Sequence, residues 1–229
     1  RVSSFLYRPT KPTRAEGIRS KIPSRRPLPA LRIEIRANFL PIKVGELNSE
    51  ISYTDTPAEP SVLVAVASTT QVKYIAITHN HMDHLLGFEE VTKAFQAKVL
   101  IGESDSNELP VAPDLFLEDG MNIQIGDLSV RAIHTPGHTE GSTCLLLNGH
   151  LFTGDTLFPG GPGKTKAPDN LKEIIESITG RLFILGDDVA FYPGHGNDGL
   201  MGTAIKEYEI YSAKTHPDDL FGDVEWLKS

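Results

Sequence analysis

The sequence predicts a layered α/β domain, because its predicted strands come in hairpin-like groups with helices interspersed among them. Hydrophobic residues make up 39% and charged residues 23% of the 229 residues, which is typical of a globular protein with a sizeable core. The sequence contains no apolar run close to the roughly 18 residues of a membrane-spanning helix. Its single cysteine, Cys144, excludes an intramolecular disulfide and a CxxC zinc site, and favours a reducing compartment such as the cytosol.

The charge is distributed unevenly along the chain. Residues 1–36 contain ten Lys or Arg and two acids, whereas the rest of the chain contains 12 bases and 28 acids. We therefore divide the sequence into a basic, Pro- and Arg-rich extension at 1–30 and a domain at 31–229. The extension fits a solvated segment, an organelle-targeting segment or a nucleic-acid-binding arm. The acidic domain argues against a nucleic-acid partner, so we expect a small-molecule substrate and no membrane partner.

Short runs with alternating apolar residues, or with many β-branched residues, are predicted to be strands. These runs span 31–36, 51–54, 72–78, 99–101, 122–125, 129–134, 143–147, 150–153, 182–185 and 189–192. The run at 72–78 is largely apolar and leads into a histidine cluster, which is typical of a buried strand with polar chemistry at its carboxyl end.

Other stretches have the apolar spacing of helices, namely 87–97, 168–179 and 203–213. In the second of them, Asn170 is placed to cap the helix, and one apolar face is formed by Leu171, Ile174, Ile175 and Ile178. The stretch 59–71 is ambiguous, because its β-branched residues favour a strand whereas Pro60 near its start favours a helix.

The most informative stretch is 78–84, which reads Thr-His-Asn-His-Met-Asp-His. It holds three of the eight histidines of the chain and an aspartate. A lone histidine is usually a core or surface residue, but this density directly after an apolar strand is not well explained in that way. Imidazole and carboxylate bind zinc and similar metals, and short spacings on a loop let neighbouring side chains reach two ions.

Three later stretches repeat one design, in which a predicted strand ends in a tight turn that carries a potential ligand. They present His138 in Thr-Pro-Gly-His-Thr, Asp155 in Thr-Gly-Asp-Thr and His195 in Tyr-Pro-Gly-His-Gly. Each stretch alone is a weak signal. Together with the histidine cluster they supply seven candidate ligands, which suits two metals that share one carboxylate.

The series THxHxDH, TPGHT, GDTLF and PGHG resembles the metallo-β-lactamase fold superfamily, in the order and spacing of its glyoxalase II-like (hydroxyacylglutathione hydrolase-like) enzymes. The resemblance covers about residues 31–200. It implies a four-layered αββα sandwich with the site along one edge between the two sheets. In this frame 59–71 becomes the first helix, and Asp55 matches the family's aspartate just before that helix.

The resemblance also implies which residues would bind each of the two metals. The first metal would take His79, His81 and His138, the second would take Asp83, His84 and His195, and Asp155 would bridge them. The ions would be two divalent metals, zinc foremost, although iron and manganese accept the same ligands. A metal-bridging hydroxide would then attack a thioester or ester-like carbonyl, with Asp83 as the catalytic residue that orients it.

The substrate is less well defined by the sequence. Lys164 and Lys166 follow the bridging aspartate and are candidates for binding a carboxylate or an anionic leaving group, with solvated loop lysines as the alternative. Glyoxalase II has a helical C-terminal domain with basic residues that hold glutathione. Here the residues after His195 become acidic towards the end, which departs from the glutathione-binding pattern and is compatible with shorter single-domain relatives.

Three other functions compete with a thioesterase. A lactonase or β-lactamase-like hydrolase would use the same site. A mononuclear iron persulfide dioxygenase would use His79, His138 and Asp155, but the Pro-Gly-His-Gly ending and the lack of a CGRTD-like segment favour the hydrolase. A non-catalytic binding protein has no chemical reason to keep seven ligand positions. We expect Cys144 to lie in the core, and His134 to be a supporting or a surface residue.

Overall fold

Strand pairing in the computed structural model forms two large sheets from the described residues, which are 40–43, 50–56, 60–67 and 71–229. The predicted extension at 1–30 and the predicted strand at 31–36 lie outside these residues. The first sheet has five strands in spatial order: β1 (Leu40–Lys43), β2 (Glu50–Thr54), β3 (Gln71–Ala76), β4 (Lys98–Ile101) and β5 (Leu115–Phe116). β1 is antiparallel to β2, and the other neighbours are parallel.

The second sheet has six strands in the order β13-β12-β9-β8-β7-β6, and a small hairpin is formed by β10 and β11. In chain order these strands are β6 (Asn122–Ile125), β7 (Leu128–His134), β8 (Thr143–Leu147), β9 (His150–Gly154), β10 (Leu157–Phe158), β11 (Gly161–Pro162), β12 (Ala190–Pro193) and β13 (Gly199–Leu200). β9 and β12 are parallel, and the other pairs are antiparallel.

Helices cover the outer faces of both sheets. They are α1 (Pro60–Ala67), α2 (Met82–Leu85), α3 (Phe88–Phe95), α4 (Pro168–Ser177) and α5 (Met201–Ser212). Two 3-10 segments span Glu103–Glu108 and Phe183–Leu185, and a π-helical turn spans Ile178–Leu182. Among the described residues, no helix is long and apolar enough to cross a membrane.

Three apolar clusters separate four layers. Ile75 and Val91 belong to the cluster between the first sheet and α3, whereas Ala76, adjacent to Ile75, belongs to the cluster between the sheets. Cys144 and Ile174 belong to the cluster between the second sheet and the helices α4 and α5. Successive residues of a strand face opposite sides, so each sheet contributes to two clusters. The predicted αββα sandwich is confirmed.

Most of the predicted elements are present. The prediction of a first helix within 59–71 is confirmed by α1, and the strands predicted at 51–54, 99–101 and 143–147 are confirmed by β2, β4 and β8. Short elements were not predicted, because two-residue strands such as β5, β10, β11 and β13 are too brief to show a period.

Two predictions around α4 are wrong. Residues 182–185 do not form a strand, because the chain continues from α4 into the π-helical turn and the second 3-10 segment, where Leu182 extends the apolar face of the helix. A short apolar run alone cannot distinguish a strand from a buried helical turn. Asn170 does not cap α4, which begins two residues earlier at Pro168, because proline is favoured in the first helical turn.

Candidate metal centre

The candidate ligands lie at one edge of the sandwich, on loops and on one short helix. His79 and His81 follow β3, and Asp83 and His84 lie on the short helix α2. His138 lies between β7 and β8, Asp155 directly follows β9, and His195 follows β12. Each of the three therefore follows a strand, as predicted from the sequence. The two sheets meet here, since the amide of Thr143 at the start of β8 donates to the carbonyl of Thr78 after β3 (2.9 Å).

The structure brings all seven predicted ligands together in three overlapping groups. Within each group, one potential ligand atom of every member lies within 4.8 Å of those of the others. The groups are His79, His81 and His138; His79, His84 and Asp155; and Asp83, Asp155 and His195. His79 and Asp155 each belong to two groups, so they connect the three. His84 belongs to the group of His79 and Asp155, and its Nε2 also lies 3.8 Å from Oδ2 of Asp83.

Unsatisfied polar atoms at the centre of the cluster fit a cation. His79 is only 1% exposed, and its Nε2 has no hydrogen-bond partner within the described structure. The Oδ1 atom of Asp155 also accepts no hydrogen bond there, although it lies 3.3 Å from Nε2 of His84. Buried polar atoms are normally paired. An unpaired imidazole nitrogen beside an unpaired carboxylate oxygen is therefore a donor set suited to a metal ion.

The protonation states of three of the histidines also suit metal binding. Burial lowers the pKa of His79 to about 2, and burial lowers the pKa values of His81 and His138 as well. These rings are therefore neutral near pH 7, which is the form that binds metals. Burial opposes ionisation of Asp155, but the neighbouring ring of His84 outweighs it and holds the pKa of Asp155 well below its usual range.

Asp55 holds two parts of the cluster in place. Its carboxylate accepts hydrogen bonds from the amide (2.7 Å) and hydroxyl (2.9 and 3.0 Å) of Thr78, and from Nδ1 of His84 (2.9 Å). Although burial opposes the charged ring, the carboxylates of Asp55 and Asp155 raise the pKa of His84 to about 10. The bond to Nδ1 directs Nε2 of His84 towards the cluster, as carboxylates commonly do for metal-binding histidines.

A backbone carbonyl plays the same part for His138. Nδ1 of His138 donates to the carbonyl of Lys164 (2.8 Å), so Nε2 faces the cluster, 2.9 Å from Nδ1 of His81. Residue types do not indicate this contact, because every residue carries a main-chain acceptor. The carbonyl belongs to the chain just after β11, which therefore positions a candidate ligand.

Two glycines allow the loops to close on the cluster. A Cβ atom on Gly194 would overlap Cε1 of His84 and lie 2.7 Å from Oδ1 of Asp155. A Cβ atom on Gly163 would overlap the backbone carbonyl of Asp155. Neither site has room for a side chain, so the glycines of the Pro-Gly-His and Gly-Pro-Gly turns serve close packing.

The cluster opens into a cavity of about 500 Å³. His81, His138, Asp155 and His195 line its floor, and the ring of Phe158 lies 4.8 Å from that of His195 (centroid to centroid). Of the two predicted substrate-binding lysines, Lys164 lines the cavity. Lys166 is exposed and does not line the cavity. Its positive charge nevertheless lowers the pKa of His81, as the second-largest cause after burial of the ring.

The C-terminal segment forms the opposite wall of this cavity, through Asp223, Val224 and Glu225. Trp226 is fully buried and its amide donates to the carbonyl of Gly160 (2.8 Å), so the segment is held firmly against the β10–β11 hairpin. The Lys164 Nζ lies 3.5 Å from Oδ2 of Asp223 at the rim. This wall was not predicted from the sequence, because nothing in an acidic segment indicates where it packs.

The cysteine and the remaining histidines lie outside the three ligand groups. Cys144 is fully buried, and burial raises the pKa of its thiol to about 11, which confirms the core prediction. His134 donates from Nε2 to the carbonyl of Glu140 (2.8 Å), so it supports the loop that carries His138. His150 and His216 make hydrogen bonds to Tyr192 and Tyr211.

A four-layered αββα sandwich with a His/Asp cluster at the edge between its sheets defines a class of metal-dependent proteins. The family model described as "Metallo-beta-lactamase superfamily" matches residues 67–195, and the chain belongs to this superfamily. The curated relatives described below are named as hydrolases, two of them as probable hydrolases.

Curated relatives are about one-third identical. The probable polyketide biosynthesis zinc-dependent hydrolase PksB of Bacillus subtilis is 31% identical over 69% of this chain and 74% of its own length. The probable hydroxyacylglutathione hydrolase glo2 of Schizosaccharomyces pombe is 32% identical, and the hydroxyacylglutathione hydrolase of Anaeromyxobacter dehalogenans is 34% identical. Each match covers 61% of this chain but only 56% and 54%, respectively, of those two relatives.

Solved structures share the fold. ETHE1 from Myxococcus xanthus has a TM-score of 0.64 at 22% identity, over 81% of this chain and 84% of that one. TTHA1623 in a di-iron-bound form has a TM-score of 0.58 at 24% identity, over 73% of this chain and 97% of that one. At these identities the likeness concerns the fold alone.

Proposed function

We propose that the protein is a dinuclear metal-dependent hydrolase that cleaves a thioester or an ester-like substrate. The observation that carries the proposal is the gathering of seven candidate ligands into three overlapping groups, two of which share Asp155. One carboxylate with two oxygens, between separate sets of ligands, suits two cations better than one. The identity to two hydroxyacylglutathione hydrolases supports a thioester as the bond that is cleaved.

The ligands divide between two positions. One cation would be held by His79, His81 and His138. The other would be held by Asp83, His84 and His195, and Asp155 would bind both. Two divalent ions there, zinc foremost, would lower the pKa of a coordinated water and polarise a carbonyl group.

The chain's own groups have distinct tasks around that chemistry. The Asp83 side chain is 61% exposed beside the cluster, so its carboxylate can accept a hydrogen bond from an attacking water and orient it. Asp55 and the carbonyl of Lys164 hold the rings of His84 and His138 in the orientation that turns Nε2 towards the cluster. Phe158 and the wall at 223–225 enclose the space beside the cluster in which a substrate would lie.

The proposal is tested by metal analysis of protein purified without added metal, together with turnover of S-D-lactoylglutathione. Two metals per chain with thioester cleavage are the expected result. One iron per chain with oxygen uptake on glutathione persulfide would overturn it in favour of a dioxygenase. Two metals without thioester cleavage would overturn the thioester assignment and move the search to lactones and β-lactams.

The rim of the cavity yields a prediction about charge selectivity. Lys164 is paired with Asp223, which offsets its attraction for an anionic substrate. Substitution Asp223→Asn is expected to lower KM for S-D-lactoylglutathione about two- to fivefold, the range of an exposed ion pair. The KM for an uncharged thioester, such as an acyl N-acetylcysteamine, should stay unchanged.

The matched control is Asp219→Asn, which makes the same change of charge at an exposed residue outside the cavity lining. The effect should also weaken with added salt. Equal changes for both thioesters, or for both variants, would show that the pair does not select substrates by charge.

A further inference from the structure

A buried aspartate outside the seven candidate ligands joins two of their loops. Asp105 lies in the 3-10 segment Glu103–Glu108 after β4 and is only 2% exposed. Its Oδ2 accepts hydrogen bonds from the amide of Asn80 (3.1 Å) and the hydroxyl of Thr139 (2.6 Å), and its Oδ1 accepts one from the amide of Gly141 (2.9 Å). All three donors are neutral, and no ion pair to Asp105 occurs within the described part of the chain.

The donors are the immediate neighbours of candidate ligands. Asn80 lies between His79 and His81, and Thr139 directly follows His138. The two loops come from different sheets, and their candidate ligands meet where Nδ1 of His81 lies 2.9 Å from Nε2 of His138. One carboxylate therefore fixes the distance between two loops that carry three ligands of one proposed metal position.

The surrounding glycines show that this contact depends on close packing. A Cβ atom on Gly141 would lie 2.6 Å from Cγ of Asp105, and one on Gly102 would overlap the carbonyl of Gly141. Side chains at either position would push the 3-10 segment away from the loop of His138. Because both positions are glycine, the carboxylate of Asp105 can approach the loop and accept a hydrogen bond from the amide of Gly141.

We propose that Asp105 is a positioning residue that sets the metal affinity of the site formed by His79, His81 and His138. The inference rests on the proposed metal centre. Without this carboxylate the two loops lose their common acceptor, so the three imidazoles no longer stand at the spacing that one cation requires. Residues that orient metal ligands typically change metal affinity or activity by about 10- to 100-fold when replaced.

The test is substitution Asp105→Asn, which keeps size but replaces one acceptor oxygen with a donating NH₂ group. Zinc affinity of the metal-free protein, measured by competition with a chromogenic chelator, should fall about 10- to 100-fold. The visible absorption of the cobalt(II)-substituted protein should change as well, because it reports ligand geometry. Asp114→Asn is the matched control. Asp114 is exposed, lies away from the cluster, and its carboxylate accepts a hydrogen bond from the amide of Val99 (2.8 Å).

A second variant keeps the test valid if Asp105→Asn does not fold. Thr139→Val removes the hydroxyl that donates to Asp105 and that also contacts Oγ of Ser142 (2.7 Å), and it should weaken zinc binding several-fold. The proposal would be contradicted if the folded variants kept the zinc affinity and the cobalt spectrum of the wild type and lost equal thermal stability with and without zinc. Asp105 would then have a structural role only. A wild-type protein that binds no zinc in the same assay would instead contradict the proposed function.

Discussion

Substitution Asp155→Asn is expected to lower kcat by about 10³-fold or more and to reduce the metal content of the purified protein. Oδ1 of Asp155 lies 3.3 Å from Nε2 of His84, and Oδ2 lies 3.2 Å from Nε2 of His195 and 3.7 Å from that of His138. The carboxylate thus touches members of both proposed ligand sets. Metal ions stabilise transition-state charge by several kcal/mol, and each 1.4 kcal/mol is about tenfold in rate.

The measurement is steady-state kinetics with metal analysis of the same preparation. Asp169→Asn is a suitable control, because the side chain of Asp169 is 95% exposed on α4 and pairs only with Lys172 in the described structure. Circular dichroism would establish that both variants fold. A folded Asp155→Asn protein that keeps its metals and stays within tenfold of the wild-type rate would contradict the bridging role.

Substitution Gly194→Ala is expected to lower kcat/KM on the order of 10²-fold. A loss of this size follows when an active-site group is displaced by about 1 Å. The added methyl group would overlap the ring of His84 and lie 2.7 Å from Oδ1 of Asp155. The ring cannot move aside freely, because Nδ1 is bound to Asp55. The new methyl group therefore has to displace a ligand, the loop or both.

Gly180→Ala provides the matched control, since a Cβ atom there meets no heavy atom within 4 Å. Both substitutions add one methyl group at a glycine without a left-handed backbone, so only the local contacts differ. Kinetics and zinc affinity of the two proteins would be compared. Similar activities for both variants would show that the space at Gly194 is not needed by the site.

The sequence predicts much of the fold, because strands and helices with a clear period are recognisable one at a time. The run at 143–147 is buried on both faces and is β8, and the spacing at 168–179 marks the apolar face of α4. The candidate ligands were also predictable, since each is a titratable residue in a loop or short helix that follows a strand. The structure brings them together, and their roles as ligands stay predictions.

What the sequence does not predict arises from contacts between distant segments. Asp105, the carbonyl of Lys164 and the wall formed by Asp223 act through backbone groups or through packing that residue type does not encode. The strand predicted at 182–185 failed for a related reason. Its apolar residues suit a buried strand and a buried helical turn equally, and packing against α4 decided between them.

The most direct test of the dinuclear centre is anomalous scattering from crystals of the protein, measured at the absorption edge of the metal found by analysis. The proposed centre predicts two anomalous peaks, one beside His79, His81 and His138 and one beside Asp83, His84 and His195, with Asp155 between them. A single peak held by His79, His138 and Asp155 would contradict it and would support a mononuclear site instead.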